Sequence, residues 1–284
     1  MTGLSSAGCP RRLWAPALSL LLCACNSTSP EPAIPTQSQH EINDGDPEPG
    51  EPGVVLLYHS WYGTMCTGTI IAPRVVLTAK HCVTTGAGQL MNAGGFEVGV
   101  GPSMYQIDHS YGVNEVRTTA GLAIEDCDVA VMLLDQNAQE TPYQYMFELP
   151  ENISELDALL IGYGQDHCPN GDSGTKLRTT DSIIGWYSEN DFYTLGRGAN
   201  SGDSGGPVFD PITMQVIGVM SRASSDTCDG YTIVAAVTPW RDLVNDALAD
   251  TGACVPTSAE VCDDGVDNNC DGDIDEGCEG CTDA

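Results

Sequence analysis

The chain has 284 residues, 41% of them hydrophobic, enough for one large domain or two small ones with a substantial core. Forty acidic side chains against ten Lys and Arg leave a formal charge of −30. That balance argues against a nucleic-acid partner or a basic membrane-surface role, because both need clustered cations. Thirteen cysteines suggest an oxidising compartment, and 32 glycines with 17 prolines favour short strands and turns over long helices.

At the N-terminus Arg11-Arg12 precede an apolar run from Leu13 to Ala24. The run is too short to cross a bilayer as a helix and has the form of a secretory signal peptide, residues 1–24. It ends in Leu22-Cys23-Ala24-Cys25, which resembles the lipobox of bacterial lipoproteins. On that resemblance Cys25 is the lipidated first residue of the mature chain, at the cell envelope; the plainer alternative is an ordinary signal peptide cut nearby. Residues 25–41 are rich in Ser, Pro and Thr and read as a tether or propeptide.

From Val54 onward, short apolar runs recur between Gly, Pro, Asn and Asp: 54–58, 69–71, 75–77, 129–134, 159–161, 182–184, 208–209, 216–220 and 233–237. This is the pattern of an all-β barrel or sandwich. Only Pro239 to Ala249 has helical periodicity, with Trp240, Leu243, Val244 and Leu248 on one face. After Cys254 the composition changes to Cys and Asp.

Three separated segments carry candidate chemistry: Thr78-Ala79-Lys80-His81-Cys82, Asp128 opening an apolar strand, and Gly202-Asp203-Ser204-Gly205-Gly206-Pro207. A serine hydroxyl needs a base to take its proton as it attacks, and an imidazole can do so near neutral pH. A carboxylate beside the ring fixes its tautomer, and the order His, Asp, Ser matches one known arrangement of that triad. A second Gly-Asp-Ser-Gly string holds Ser173, but only Ser204 is followed by Gly-Gly-Pro and a strand. Asp126 competes with Asp128, which begins the apolar strand directly.

These segments resemble the trypsin/chymotrypsin-like serine proteases over about Ile42 to Asp250, which implies a protease domain at 42–253. Thr78 to Cys82 is similar to the family's T-A-x-H-C box, Gly162-Tyr163-Gly164 to its G-W-G turn, and His81 and Asp128 are 47 residues apart, close to the usual separation. The resemblance implies two six-stranded antiparallel barrels, a C-terminal helix, and endopeptidase activity through an acyl-enzyme without a catalytic cofactor. It also implies roles residue by residue. His81 is the base, Asp128 its orienter and Ser204 the nucleophile, with the N–H groups of Gly202 and Ser204 as the oxyanion hole. Cys66 pairs with Cys82. Ile42-Asn43-Asp44-Gly45 resembles the family's I-V-G-G start, so cleavage after Glu41 would free an Ile42 ammonium to meet Asp203.

Specificity departs from the tryptic pattern. Gly198 stands where trypsin-like enzymes carry an Asp, and Ser221 is followed by Arg222 and Ala223 in place of the usual Trp and Gly. A small or apolar residue is therefore expected before the cut bond. Arg197 and Arg222 either select an acidic residue or are solvated rim charges. The usual cysteine ahead of the nucleophile loop is Asn200, so Cys228 needs another partner: Cys168 is a candidate, with Cys127–Cys254 as the other core pair.

In the tail, 254–284, the ligand candidates Asp267, Asn269, Asp271, Asp273 and Asp275 alternate along a loop that turns at Gly272. The segment resembles a Cys/Asp-rich metal-binding repeat of secreted bacterial proteins and, more loosely, thrombospondin type 3 repeats. Its oxygen ligands suit Ca2+; Cys278 at the twelfth position argues against an EF-hand. The alternative is a disulfide-stapled acidic tail that binds nothing specific. The sequence as a whole implies a secreted or envelope-anchored bacterial serine endopeptidase, monomeric, acting on protein or peptide. The competing readings are a catalytically silent homologue that binds a partner, or an adhesion module acting through the tail.

Overall fold

The computed structural model describes residues 42, 45–121, 123–167, 171–196, 199–224, 230–258, 260–270 and 272–275. The expected signal peptide, the tether and Cys25 lie outside them. Strand β1 (Asp46–Pro47) comes first, followed by β2 (Val54–His59), β3 (Thr64–Ala72) and β4 (Val75–Thr78). A one-turn helix α1 (Lys80–Val83) precedes β5 (Phe96–Val100), β6 (His109–Thr118) and β7 (Ala130–Leu134). Strands β2 to β7 close into a six-stranded antiparallel barrel in the order β2-β3-β4-β7-β6-β5.

The second half begins with β8 (Asp157–Gly162), β9 (Leu177–Trp186) and β10 (Asp191–Thr194). It continues with β11 (Pro207–Phe209), β12 (Val216–Ala223) and β13 (Thr232–Ala236). The order β9-β10-β13-β12-β11-β8, with β8 pairing back onto β9, closes a second six-stranded barrel, and β1 adds along β9. Both barrels are closed, so neither exposes a long sheet edge.

The packing explains why the strands read as continuous apolar runs rather than alternating ones. Side chains alternate faces along a strand. In β2, Val55 and Leu57 point into the first barrel, while Val54 and Leu56 join the apolar layer between the barrels. Likewise Ala130, Met132 and Leu134 of β7 fill the first barrel, and Val131 and Leu133 face the second. Leu159 and Ile161 of β8 meet them across the layer, while Ala158 and Leu160 line the second barrel. Strands buried on both faces lose the period-2 signature.

Helix α2 (Arg241–Thr251) lays Val244, Ala247 and Leu248 on the same inter-barrel layer and ends at Gly252 in the left-handed region, φ 72°. The N-terminal segment is latched to the second barrel. Buried Lys176 donates to the carbonyls of Gly50 (3.0 Å), Glu51 (3.0 Å) and Val54 (3.3 Å), and Arg178 pairs with Glu48 at 2.9 Å. Burial lowers the Lys176 ammonium to about 8, against the pull of Glu48 and Glu51.

One disulfide pairing differs from expectation. Cys254 bonds Cys270 within the tail, so it does not pair with Cys127. After α2 the chain turns back on itself, with Thr257 N–H on Asn268 O at 2.9 Å, which brings Cys270 rather than the barrel to Cys254. Cys127 and Cys262 are also disulfide-bonded, while both candidates for the remaining core pair, Cys168 and Cys228, lie outside the described residues. These bridges place the chain in an oxidising compartment. Among the described residues no helix is long and apolar enough to cross a membrane.

Candidate active site

The site forms where the two barrels meet, on short segments that leave the ends of strands. Helix α1 follows β4 and is stapled to β3 by Cys66–Cys82, S–S 2.02 Å. So short a helix leaves its N–H groups unsatisfied. His81 N–H finds Asp128 Oδ1 at 2.9 Å, and the other oxygen, Oδ2, accepts from His81 Nδ1 at 2.8 Å. One carboxylate thus fixes both the backbone and the ring of His81. Asp128 is fully buried, which pushes its carboxyl up. The bonds from the His81 ring, the Ser221 hydroxyl and the His81 N–H outweigh this and hold it below the usual range. With Nδ1 engaged, Nε2 is the ring nitrogen left to accept a proton, and it lies 3.9 Å from the Cys82 sulfur.

The cleft, about 180 Å³, is lined by Ala199, Asn200, Ser201, Ser204, Met220, Ser221, Arg222 and Ala223. Ser204 sits in the turn ahead of β11. Its carbonyl accepts from Thr67 N–H at 2.9 Å, which ties the turn to β3 beside the histidine helix. The Ser204 hydroxyl makes no hydrogen bond to His81 Nε2 among the described contacts. Such bonds are often long without substrate. The N–H groups of Gly202 and Ser204 have no acceptor among the described residues, leaving two donors free in the nucleophile turn.

Asp203 lies beneath this turn, fully buried, accepting from Gly164 N–H (2.7 Å) and Asn200 N–H (2.8 Å). A Cβ on Gly162 or Gly164 would come within 2.2 or 2.4 Å of that carboxylate, so the Gly-Tyr-Gly turn is what makes room for it. Burial raises the Asp203 carboxyl to about 7, against those two bonds. Ile42 is fully buried among Ile153, Leu160, Leu177 and Ile183, and its carbonyl accepts from Gly45 N–H at 2.9 Å. In the continuous chain Ile42 carries an amide, and among the described hydrogen bonds none joins it to Asp203.

That burial predicts a pH dependence. The folded chain keeps a proton on Asp203 that the unfolded chain, with its carboxyl near 3.8, has already lost. Between about pH 4 and 7 the folded state therefore binds more protons, and stability falls as pH rises through this window. For uncut protein carrying Ser204→Ala, the melting temperature should fall from pH 4.5 to 7.5, and Asp203→Asn should flatten that slope. Equal slopes in the two proteins would count against the buried, proton-binding carboxyl.

Other expected residues separate. Asp126 takes a positive φ of 60° and accepts from Asn190 N–H at 3.1 Å, so it buttresses the second barrel instead of the histidine. Ser173 pairs in an isolated bridge with Gln165 and has no hydrogen bond to a histidine among the described residues. Arg222 is not a free rim charge. Its Nη2 lies 2.7 Å from Oδ2 of buried Asp191, and its Nη1 donates to Ser221 Oγ at 3.1 Å. Gly198 and Arg197 lie outside the described residues, while Ala223 narrows the cleft with a methyl.

Cys66, His81 and Cys82 cluster within 4.8 Å, but both sulfurs are spent in the disulfide, so His81 alone could ligate a metal there. In the tail, Asp267 Oδ2 accepts from Gly272 N–H (3.0 Å), and both Asp275 oxygens accept from Asp264 and Gly265 N–H (3.2 Å each). Asn269 and Asp275 donate through their N–H groups to Glu260. Asp271 lies outside the described residues, and Asp273 is exposed.

Three residues of the site carry little sequence signal. Thr67 accepts from Tyr163 N–H (3.1 Å) and donates to Gly202 O (2.9 Å), joining both barrels to the nucleophile turn. Lys80 is buried and donates to the carbonyls of Ala120 (3.3 Å) and Ala123 (3.2 Å), holding the loop that leads to Asp128. Burial lowers its ammonium, opposed by Asp128. Asp191 is the third. A polar residue in a strand seldom reveals its partner, and nothing beside Asp191 in the sequence points to Arg222 as its cation.

With this geometry in view, the comparisons are consistent with one another. The family model described as Trypsin matches residues 42–244. Chymotrypsin of Phaedon cochleariae is 27% identical over 202 residues, covering 62% of this chain and 70% of its own. Bovine chymotrypsin-like elastase family member 1 is 28% identical over 223 residues, covering 67% and 80%. The Vibrio cholerae VesB protease structure superposes with a TM-score of 0.53 at 17% identity, over 68% of this chain and 63% of that one, and supports the fold. The chain belongs to the trypsin family. Membership supports a peptidase function on protein or peptide substrates, with no catalytic cofactor.

Proposed function

We propose that the chain is a secreted serine endopeptidase made as a zymogen. The observation that carries this reading is the buried Asp128 carboxylate holding His81 by ring and backbone and accepting from Ser221, which with Ser204 lines the cleft. Ser204 Oγ attacks the substrate carbonyl carbon while His81 Nε2 takes its proton. The oxyanion is held by the N–H groups of Gly202 and Ser204, where losing one donor typically costs about 100- to 1000-fold. His81 then protonates the departing amine as the C–N bond breaks, and water attacks the acyl-enzyme by the reverse route.

Cleavage after Glu41 would give Ile42 an ammonium, and the pairing of that cation with Asp203 would offset the cost of burying its charge. The cleft is small and its described lining holds no carboxylate, which fits a small or apolar residue before the cut bond. We assign 1–24 as signal peptide, 25–41 as propeptide with Cys25 as lipid anchor, 42–253 as the protease domain, and 254–284 as an appendage. The appendage's all-oxygen donor set fits Ca2+, held by Asp267, Asn269, Asp271, Asp273 and Asp275.

The test is labelling of uncut and cut chain with a small fluorophosphonate, the adduct mapped by mass spectrometry. The expected result is a phosphonyl group on Ser204, formed fast only once the chain begins at Ile42. A chain beginning at Ile42 that fails to label would overturn the enzyme reading and favour a silent homologue that binds a partner.

A further inference from the structure

We propose that Arg222 is a positioning residue of the catalytic machinery: seated on buried Asp191, it holds the Ser221 hydroxyl on Asp128 and couples the cleft wall to the charge state of His81. The proposal rests on the reading of His81, Asp128 and Ser204 as a triad.

The hydrogen-bond directions along this chain of groups are fixed by chemistry. Ser221 Oγ has two partners, Asp128 Oδ2 at 2.6 Å and Arg222 Nη1 at 3.1 Å. A carboxylate can only accept and a guanidinium can only donate, so the single hydroxyl proton of Ser221 points at Asp128. Remove the guanidinium, and that buried hydroxyl loses the donor that fixes its orientation. Ser221, Asp128 and Asp191 are all buried, whereas the Arg222 side chain is about a fifth exposed along the cleft. Low local polarity makes each link stronger than it would be in water.

The seat of the guanidinium is equally specific. Asp191 Oδ2 accepts both Arg222 Nη2 (2.7 Å) and the N–H of Asp126 (3.2 Å), two residues ahead of Asp128. Its other oxygen is buried without a hydrogen bond, so the charge of Asp191 leans on Arg222. The face of Tyr187 lies 5.8 Å from the guanidinium carbon and limits its movement. Two separate N–H prongs are in use, a geometry a lysine ammonium does not reproduce.

Charge signs give the consequence. The groups bearing on His81 are Asp128, Lys80 beside it on α1, and the Arg222–Asp191 pair with Asp126 on the second-barrel side. Lys80 and Asp126 are the same in every variant, so they cancel in a comparison. Arg222→Met removes a positive charge and leaves Asp191 unpaired, and both effects favour the imidazolium. Asp191→Asn keeps an acceptor for Arg222 but removes a negative charge, which disfavours it.

The experiment is the pH dependence of the second-order rate of inactivation by a small fluorophosphonate, a reagent that reads Ser204 and His81 without filling distant substrate subsites. On the activated chain, Arg222→Met should move the acid-limb midpoint up by about half a pH unit, and Asp191→Asn should move it down by a similar amount, the size expected of one charge felt across a partly solvated cleft. The pH-independent rate of Arg222→Met should also drop several-fold. Midpoints that stay put or move in the same direction would overturn the proposal, as would a change confined to the KM of a peptide substrate. A parent that does not label at all would instead remove the triad reading, and the proposal with it.

Discussion

Replacing Ser204 by alanine is expected to lower kcat on a peptide substrate by about 10^6-fold, and Asp128→Asn by about 10^4-fold. The second figure follows from the donors aimed at Asp128: the His81 N–H, the His81 ring and the Ser221 hydroxyl. An amide offers one accepting oxygen where the carboxylate offers two. If the oxygen takes the His81 backbone N–H, the NH2 faces the ring and the ring must accept at Nδ1. The imidazole proton then sits on Nε2, which can no longer take a proton from Ser204. The double variant should be no slower than Ser204→Ala alone, because Asp128 acts through a histidine that then has no nucleophile to serve. Steady-state kinetics of the three activated variants and the activated parent give all four corners of that cycle. Asp128→Asn activity within tenfold of the parent would remove Asp128 from its assigned role.

The same residues show how far sequence carries and where it stops. The barrels were legible because Val54 to Leu57 and Ala130 to Leu134 are buried on both faces, and such strands announce themselves as unbroken apolar runs. Strands β5, β6 and β10 escaped that rule for a physical reason. β6 mixes buried Tyr111 and Val113 with exposed Asn114 and Glu115, and β5 interrupts its apolar positions with Glu97 and Gly99. His81, Asp128 and Ser204 could be picked out because each lies in a short string of unusual composition. Nothing local marks Thr67 or Asp191, whose partners Gly202 and Arg222 are 135 and 31 residues away respectively. The tail disulfide was missed because spacing alone does not say which of several cysteines a loop will bring close.

Both barrels must hold their relative position for the cleft to work, since His81 and Asp128 come from the first and Ser204 from the second. Thr67 does much of this locking. Its N–H, carbonyl and hydroxyl are all engaged, with Ser204 O, Thr78 Oγ1, Tyr163 N–H and Gly202 O as partners. The nucleophile turn is therefore held from the first barrel, by backbone atoms that cannot move without shifting β3 and the histidine helix together.

Gly205 sits at the tightest point of that contact, and Gly205→Ala is expected to lower the rate of fluorophosphonate labelling by at least about 10^3-fold and to destabilise the fold by about 3 kcal/mol or more. Its φ is 79°, a conformation that L side chains adopt only under strain. An added Cβ would also lie 2.0 Å from Thr78 Oγ1, 2.5 Å from Thr67 O and 2.8 Å from Ala79 N. Two of those atoms are backbone, on β3 and at the start of the His81 helix, so relief requires the barrels to separate or the turn to flip. Either movement carries Ser204 away from His81. Gly63→Ala separates strain from collision: its φ is a similar 63°, but nothing lies within 4 Å of the new methyl. That variant should lose only about 1 kcal/mol, a few degrees of melting temperature, and keep the parent's labelling rate. Melting curves and labelling rates on both variants decide the matter. Full-rate labelling of Gly205→Ala would mean that the contact between Gly205 and the Thr67–Ala79 wall does not position the nucleophile.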